Sequence, residues 1–450
     1  MGKIVRVCLP KKMQMVTSTL LSKDTIDYQA FRAKKPGYAL LRGELCMLKY
    51  YAQLERYEGN RALFDMIKMS MVSTIADEPL HIHAEGLRGT GKTTIMRKTQ
   101  DILPTIVRVK GCLYNCDPAK PHCPLHRGMA AQEIVEIGIE AIPMPFIEIS
   151  HSAKVGTVAG SIDLAKLTDP RKPEAGLLPG LIPQAHRGIL FVDEINRLAD
   201  TAPEITDILL DLMGTKPGVV QIEEAGLPVV SVKVNVSVWA ASNPDEDPGP
   251  LEEIRRQLSD RFDMVCYMGR PTSIDVLAKM LKENFHTTKL EPEREQMNLE
   301  AIMKKHQEYT QTLLRWAEIY KGSDLPDFVR NYIARLYVKH NLESIRAIEA
   351  MQQGAVLYSI INERDQASIN DVTRILPLIL KHRMDADSLI RVLNDDSKGG
   401  SMFSSGGKKS ADKTGPADDP DFFKKEGRPL KELKRKDLIN TEKSIDFNRE

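Results

Sequence analysis

Residues 86–93 constrain the fold of this 450-residue chain more than any other segment. They read GLRGTGKT and match G-x-x-x-x-G-K-[ST] at every fixed position. The run LHIHAEG precedes them and the amphipathic run TTIMRKTQDIL follows, which predicts a strand, a loop and a helix. Glycines permit the tight turn and direct backbone N–H groups at phosphate oxygens, and a helix that begins near Lys92 adds its positive N-terminal dipole. The sequence therefore predicts a nucleotide-phosphate site at this turn.

Two side chains of the loop have specific expected roles. Lys92 is expected to reach the β- and γ-phosphates of ATP, and the Thr93 hydroxyl to coordinate Mg²⁺. The nucleotide is expected to lie against Gly86, Leu87, Arg88, Gly89, Thr90, Gly91, Lys92, Thr93 and Thr94.

A second motif, ILFVDE at 189–194, places two acids after four apolar residues. This pattern predicts a buried strand with Asp193 and Glu194 at its carboxyl end, where ligands bind in open α/β sheets. Asp193 is expected to hold Mg²⁺, directly or through water, and Glu194 to orient or deprotonate the attacking water. The alternative is a surface acidic pair that caps a helix.

Apolar strand-like runs at 145–149, 188–193 and 234–241 alternate with helical patterns, which predicts an α/β fold with a parallel sheet flanked by helices. Segments 38–57 and 61–76 have helical apolar spacing. From about 274 to 384 the pattern is almost entirely helical, with a long polar helix near 294–320.

The amino-acid composition limits the classes of protein to which this chain can belong. Hydrophobic residues make up 42% and charged residues 28%, which is typical of a globular chain, and the net charge of +1 gives no basic excess for nucleic acid. We find no apolar run of the ~20 residues that a membrane helix needs. Six cysteines are too few for a disulfide scaffold in a chain of this length, so we expect a cytoplasmic protein with reduced thiols.

Three longer runs resemble AAA+ ATPases of the magnesium-chelatase I-subunit / MoxR-like branch. They are KVGTVAGSIDLAKL at 154–167, GLIPQAHRGILFVDEINRL at 180–198 and LEEIRRQLSDRFDM at 251–264. The resemblance extends over about residues 61–390. It implies an AAA+ core, a helical lid, and hydrolysis of ATP by in-line attack of water on the γ-phosphate.

The resemblance also assigns polar residues outside the two motifs. Asn243, in VWAASNP, matches the sensor that contacts the γ-phosphate or the lytic water. Arg261 matches the arginine finger that enters the neighbouring subunit's site, and Arg346, in ESIRA, matches the second sensor arginine that closes the lid. Arg255 matches a further position of the finger motif. Taken alone, each arginine would be a solvated surface charge.

The implied assembly is a homo-oligomer, most simply a hexameric ring, because the finger acts in trans. The implied function is an ATP-hydrolysing motor that drives conformational change in a chelatase-type complex. Its partners would be a metal-ion-adhesion (von Willebrand A) domain protein and a large chelatase-type subunit, with no membrane. The alternatives are a MoxR-like ATPase that remodels or activates a metalloprotein, a nucleic-acid motor, which the near-neutral charge disfavours, and a non-catalytic nucleotide-gated scaffold.

The predicted organisation has five parts. Alternating apolar residues around Ala225-Gly226-Leu227-Pro228 predict a β-hairpin inserted in the core, at a place where the family's hairpins often touch substrate or partner. The tail is rich in Gly, Ser, Lys and Asp, and is read either as solvated disorder or as a docking tail anchored by Phe422, Phe423, Leu430 and Leu433. The parts are an N-terminal helical extension (1–60), an α/β core (61–270) with a Cys-rich loop (111–128) and the hairpin (219–238), linker helices (271–322), a helical lid (323–392) and a flexible charged tail (393–450).

The Cys-rich loop reads GCLYNCDPAKPHCPLHRG. Cys112, Cys116, Cys123 and His126 have the spacing C-x3-C-x6-C-x2-H, with His122 nearby, and thiolates with imidazole are the ligands of tetrahedral Zn²⁺. An iron–sulfur cluster, a redox role, and a loop that merely tolerates cysteines are the alternatives. Two other histidines, at positions 81 and 83, are interpreted as core or edge residues rather than as ligands.

Overall fold

A computed structural model describes residues 50–162, 177–222, 229–286 and 292–399. Most of the N-terminal extension, the tip of the hairpin and almost all of the tail with its aromatic anchors lie outside these residues. Across the described part, every helix is too short or too polar to cross a lipid bilayer.

The described elements alternate between strands and helices up to residue 267 and are helical afterwards, as predicted. Short 3₁₀ turns add Tyr51–Gln53 and Thr99–Asp101. The strands are β1 (Ile82–Glu85), β2 (Thr105–Val109), β3 (Ile139–Pro143), β4 (Phe146–Ile149), β5 (Gly160–Ile162), β6 (Leu177–Pro179), β7 (Gly188–Val192), β8 (Gly218–Ile222), β9 (Val230–Val234), β10 (Val236–Ser242) and β11 (Met264–Tyr267). The helices are α1 (Glu58–Ile75), α2 (Lys92–Lys98), α3 (Ala131–Ile137), α4 (Val155–Ala159), α5 (Leu181–Gln184), α6 (Ile195–Thr201), α7 (Pro203–Leu212), α8 (Leu251–Ile254), α9 (Arg256–Arg261), α10 (Ile274–His286), α11 (Pro292–Lys321), α12 (Asp327–Lys339), α13 (Ile345–Ile361), α14 (Ile369–Leu380) and α15 (Ala386–Gly399).

The central sheet has five strands in the order β11-β1-β10-β7-β4, and every neighbouring pair is parallel. Successive side chains of a strand point to opposite faces, so the sheet separates two apolar cores. Phe191 and Trp239 lie in the core that contains α1 and the lid helices, whereas Leu190 and Val238 lie in the core on the other face. Burial on both faces explains why these strands read as continuous apolar runs. The predicted α/β class with a parallel sheet is confirmed.

Helix α1 packs under the sheet and joins it to the lid. The indole Nε1 of buried Trp239 donates to Ser70 Oγ on α1 at 2.8 Å. Helix α1 confirms the prediction for 61–76, but the described part of 38–57 is not a continuous helix. Asn60 accounts for this difference, because its side chain accepts from the backbone N–H of Tyr57 and donates to the carbonyl of Glu55. These bonds turn the chain into α1 where a helix would have to continue.

The predicted hairpin at 219–238 is present, with its second limb shorter than expected. Strands β8 and β9 pair antiparallel, and residues 223–228 between them lie outside the described residues. The second limb ends at Val234, where Asn235 N–H donates to His186 Nδ1 at 2.9 Å. Residues 236–238 belong instead to central strand β10, since their side chains are buried inside the sheet.

The helical region ends later than predicted. Helix α15 continues to Gly399, past the expected start of the tail at 393. Leu389, Val392 and Leu393 are buried in the core that contains the lid helices. Their i, i+3, i+4 spacing places them on one face of the helix, which explains why the helix continues through residue 393.

Candidate nucleotide-binding site

The loop after β1 follows a backbone path that requires glycine. Gly89 and Gly91 have φ values of +74° and +96°, in the left-handed region that side chains disfavour. At Gly86 the constraint is also steric, because an added Cβ would lie 2.5 Å from the carbonyl oxygen of Met268. The loop ends at Gly91, and Lys92 opens α2, as predicted.

Lys92 is folded back over the loop. Its buried Nζ donates to the carbonyl oxygens of Gly86 and, at 2.9 Å, of Leu87. Burial lowers the pKa of Lys92, and the Asp193 carboxylate opposes that shift. A phosphate would offer the ammonium a stronger, charged acceptor than these carbonyls.

The structure brings the acidic motif to this loop. Thr93 Oγ1 lies 3.2 Å from Asp193 Oδ1, which joins the start of α2 to the carboxyl end of β7. Two oxygens bound side by side to one octahedral Mg²⁺ would be about 2.9 Å apart, since Mg–O distances are about 2.0–2.1 Å. Burial raises the pKa of Asp193, and a dication would counter that effect. The pair therefore fits a magnesium site.

Glu194, the second acid of the motif, pairs with an arginine one helical turn further on. Its backbone has φ +51°, a left-handed conformation that is uncommon for a non-glycine residue and is often associated with functional sites. Its half-exposed carboxylate accepts from Arg197 Nη1 at 3.1 Å. The side chain is thus at the open edge of the sheet, where water has access.

Asn243 comes directly after β10 at the same edge. Its neighbour Ser242 is in register with Glu85, the last residue of β1. The Asn243 side-chain oxygen accepts from the backbone N–H of Asp245 at 3.3 Å, and its carbonyl accepts from Asn196. The carboxyl edge of the sheet therefore gathers the loop, the two acids and this amide.

Arg261 and Arg346 lie elsewhere. Arg346 Nη2 donates to the Gly214 carbonyl at 3.3 Å, and a Cβ added to Gly214 would be 3.5 Å from Arg261 Nη1. The Arg346 charge is also close enough to affect His81, the residue before β1. This is the amino edge of the sheet, so neither arginine meets the phosphate loop of its own chain.

The four residues predicted as metal ligands are brought together. The ligand atoms of Cys112, Cys116, Cys123 and His126 all lie within 4.8 Å of one another, and all four residues are buried. By contrast, His81 and His83 are buried within the core, as predicted. His83 Nε2 is 2.8 Å from Ser242 Oγ, and His81 Nδ1 accepts from Val238 N–H at 3.1 Å.

Comparisons with known proteins find a family model for the lid and similar sequences over most of the chain. Residues 330–397 match the family model described as the AAA lid domain. Magnesium-chelatase subunit ChlI-2 of Arabidopsis thaliana is 28% identical over 331 residues, which cover 72% of this chain and 74% of that protein. The magnesium-chelatase 38 kDa subunit of Acidiphilium rubrum is 27% identical over 330 residues, which cover 72% and 89%. The chain is similar in sequence to magnesium-chelatase I subunits over most of its length. A solved chain from the complex between subunits BchI and BchD of magnesium chelatase is 20% identical, with a TM-score of 0.37 over 74% of this chain and 94% of that one. That TM-score is too low for the likeness to carry weight.

Sequence reasoning missed a cation beside the candidate magnesium site. Arg97 forms two bonds to Glu148, at 2.5 and 2.9 Å, and its Nη2 is 3.2 Å from Asp193 Oδ2. The arginine therefore partly neutralises both carboxylates. The available signal was the acid within the otherwise apolar run PFIEI of β4.

A buried charge cluster, also missed, connects the lid to the strand that leads into the loop. Lys381, directly after α14, forms an ion pair with buried Glu85 at the end of β1. Burial raises the pKa of nearby Glu252 to about 7, and the Glu85 carboxylate acts in the same direction. One oxygen of Glu252, Oε2, has no hydrogen-bond partner among the described residues. The lid and the phosphate loop thus share an electrostatic contact.

This cluster predicts a pH dependence of folding stability. Because the pKa of Glu252 is raised in the folded state, the folded protein holds this proton more tightly than the unfolded chain does. The resulting contribution to the free energy of unfolding is complete below the unfolded-state pKa and is lost as pH rises through about 7. Glu252→Gln keeps the neutral form at every pH. We expect the free energy of unfolding of the unmodified chain, relative to the variant, to fall by roughly 2 kcal/mol between about pH 5 and pH 8. Denaturant titrations at several pH values measure this slope. Glu253→Gln is the control at an exposed neighbour, and equal slopes for the two variants would contradict the prediction.

Proposed function

We propose that this chain is an ATP-hydrolysing AAA+ motor subunit similar to magnesium-chelatase subunit I, which drives conformational change in a chelatase-type complex. The observation that carries the proposal is the contact between Thr93 and Asp193. It joins the phosphate loop to the acidic strand end in a geometry that fits Mg²⁺. The sequence identities of 28% and 27% to magnesium-chelatase I subunits, each over 72% of the chain, support the same conclusion.

The proposed chemistry divides among the residues of the carboxyl edge. Loop N–H groups and Lys92 bind the phosphates, while Thr93 and Asp193 hold Mg²⁺, which neutralises charge on the phosphate oxygens. Glu194, exposed to water, orients or deprotonates the nucleophile. Asn243 has an amide that both donates and accepts, as contact with the γ-phosphate or the attacking water requires.

We place Arg261 and Arg346 at a neighbouring subunit's nucleotide rather than at their own. Both lie at the amino edge of the sheet, and the side chain of Arg261 makes no hydrogen bond or ion pair with any described residue. Burial lowers the pKa of Arg261, and the Arg346 charge adds to the effect. An incoming phosphate would relieve this repulsion. The proposal therefore includes a homo-oligomer, which we take to be a hexameric ring.

The finer parts of the proposal follow the family resemblance. The ring is proposed to act in the cytoplasm on a von Willebrand A domain protein and a large chelatase-type subunit. No specific observation favours a MoxR-like chaperone or a nucleic-acid motor, and the near-neutral charge argues against the latter.

Nucleotide binding tests the phosphate site directly. Lys92→Ala removes the ammonium that the loop carbonyls now hold, and we expect ATP affinity to fall about 10- to 100-fold, the effect of losing one charge-assisted hydrogen bond. Lys98→Ala, at the other end of the same helix, is the matched control and should bind normally. Calorimetric titration with ATP and Mg²⁺ measures both. Equal affinity of the two variants would place the nucleotide elsewhere.

A further inference from the structure

The Cys-rich loop forms a small lobe inserted between two paired strands. Strands β2 and β3 pair antiparallel, and the 29 residues 110–138 between them carry all four predicted ligands. The lobe is attached to β2 by the bond from Val109 N–H to the Cys116 carbonyl at 3.0 Å. No residue of this lobe takes part in the proposed ATP chemistry, so its arrangement needs a separate explanation.

We propose that Cys112, Cys116, Cys123 and His126 bind one structural Zn²⁺ ion. Their three sulfurs and one imidazole nitrogen lie within 4.8 Å of one another. In a tetrahedral site the sulfurs would be about 3.8 Å apart, given Zn–S bonds of about 2.3 Å. The ligand atoms are thus already gathered to within about 1 Å of the required spacing. A site with four protein ligands leaves no open position, which is the mark of a structural rather than a catalytic zinc.

The surroundings of Cys116 support a thiolate there. Its sulfur accepts from the backbone N–H groups of His122 and Cys123, at 3.4 and 3.3 Å. Backbone donors of this kind orient and stabilise metal-bound ligands. The three loop cysteines are all free thiols in the structure, although they lie close together.

The two histidines of the loop have different roles. His126 Nδ1 is 3.1 Å from Cys123 Sγ and belongs to the ligand group. His122 Nδ1 is 3.3 Å from the Cys116 sulfur but falls outside the ligand group, and its ring lies against that of His186 with centroids 3.8 Å apart. His122 is therefore a neighbour that positions Cys116, and His126 is the ligand.

The ion would hold the lobe against the apolar core on the face of the sheet that carries Leu190 and Val238. Cys112, Tyr114 and Cys116 are part of the same buried cluster as central strand β7. The side chains of Leu113 and Leu125, in contrast, are 54% and 45% exposed, so the lobe buries few large apolar groups of its own. Zinc binding contributes folding free energy directly, which is how small lobes without a sufficient core become ordered.

Metal analysis of the full-length protein tests the proposal. After purification with a thiol reductant and desalting, mass spectrometry of the metals should find about one zinc per chain, the stoichiometry of a four-ligand site. Cys123→Ser and His126→Gln should each lower zinc occupancy at least tenfold under competition with a chelator. Cys266→Ser is the matched control outside the loop and should keep its zinc.

Several outcomes would overturn the inference. Iron with acid-labile sulfide and visible absorption would identify an iron–sulfur cluster. A zinc-supplied preparation that contains no metal and has three titratable loop thiols would show a metal-free loop. If the ligand variants do not fold, unmodified protein exchanged with Co²⁺ remains informative, because tetrahedral thiolate coordination gives strong visible bands and their absence would contradict the site. ATP binding by zinc-depleted protein is read separately, so failure of the zinc site and failure of the proposed ATPase are distinguishable.

Discussion

Glu194→Gln is expected to lower ATP turnover by about 10²- to 10⁴-fold while leaving ATP affinity nearly unchanged, as removal of a general base does. The amide is isosteric, but it cannot accept a proton from water. Affinity should persist because Lys92 and Thr93, rather than Glu194, are placed to hold phosphate and metal. Single-turnover hydrolysis and a separate binding titration measure the two effects independently.

The matched control is Glu204→Gln, an exposed acid at the start of α7. It should hydrolyse ATP normally. Full turnover by Glu194→Gln would remove that residue from the chemistry, whereas loss of both turnover and binding would indicate a structural role for its ion pair with Arg197.

The same variant addresses the partners. An ATP-bound ring that does not turn over should remain assembled, so proteins recovered with it from native extract can be identified. A von Willebrand A domain protein together with a large chelatase-type subunit would support the chelatase proposal. The adhesion-domain protein with a different enzyme would favour the MoxR-like alternative instead.

The central sheet was predictable from sequence because its strands are buried on both faces. Runs such as GILFV and VSVWAAS consist almost entirely of apolar residues because each face of the strand meets a core, and every residue in them is buried. The phosphate loop was predictable for a related reason: its positive φ angles admit few residues other than glycine. In both cases a local structural requirement restricts which residue types can occupy neighbouring positions, and the sequence shows that restriction.

The contacts between distant segments left little signal in the sequence: Glu148 within PFIEI marks one partner but does not identify the other. Arg97 meets Glu148 across 51 positions, and Lys381 meets Glu85 across 296. Each residue alone resembles a solvated charge, and only the fold brings the partners together. The predicted ends of some helices and strands were wrong for the same reason. Helix α15 continues past residue 393, where the tail was expected to begin, and Leu393 lies in a core built mostly from other helices.

The position of Arg346 was also beyond sequence reasoning. The motif ESIRA implies a second sensor arginine that closes the lid, but which nucleotide this arginine faces depends on how α13 packs. Here α13 begins beside Gly214, at the amino edge of the sheet. We therefore propose the same trans role for Arg346 as for Arg261.

Arg261→Ala is expected to lower turnover by about 10³- to 10⁵-fold, the range found for other trans-acting arginines. Binding of ATP by the variant should be nearly normal, because no described contact links Arg261 to the phosphate loop of its own chain. Arg256→Ala is the matched control on the same short helix. The Arg256 side chain is 78% exposed, and its one ion pair among the described residues is a 3.9 Å contact with Glu343. Steady-state phosphate release and ATP titration report the two quantities.

Mixing two inactive variants then separates action in trans from action in cis. In rings assembled from equal amounts of Arg261→Ala and Lys92→Ala chains, some sites combine an intact Lys92 with a neighbour's intact Arg261. If sites act independently, random mixing in a symmetric ring should restore about a quarter of normal turnover. A finger acting in cis would restore none, since every chain then lacks one essential group of its own site. The same mixture with Arg346→Ala in place of Arg261→Ala tests the lid arginine. Recovery of turnover requires that Arg346 acts at the neighbour's nucleotide. We expect this result because Arg346 lies beside Gly214, away from the phosphate loop of its own chain.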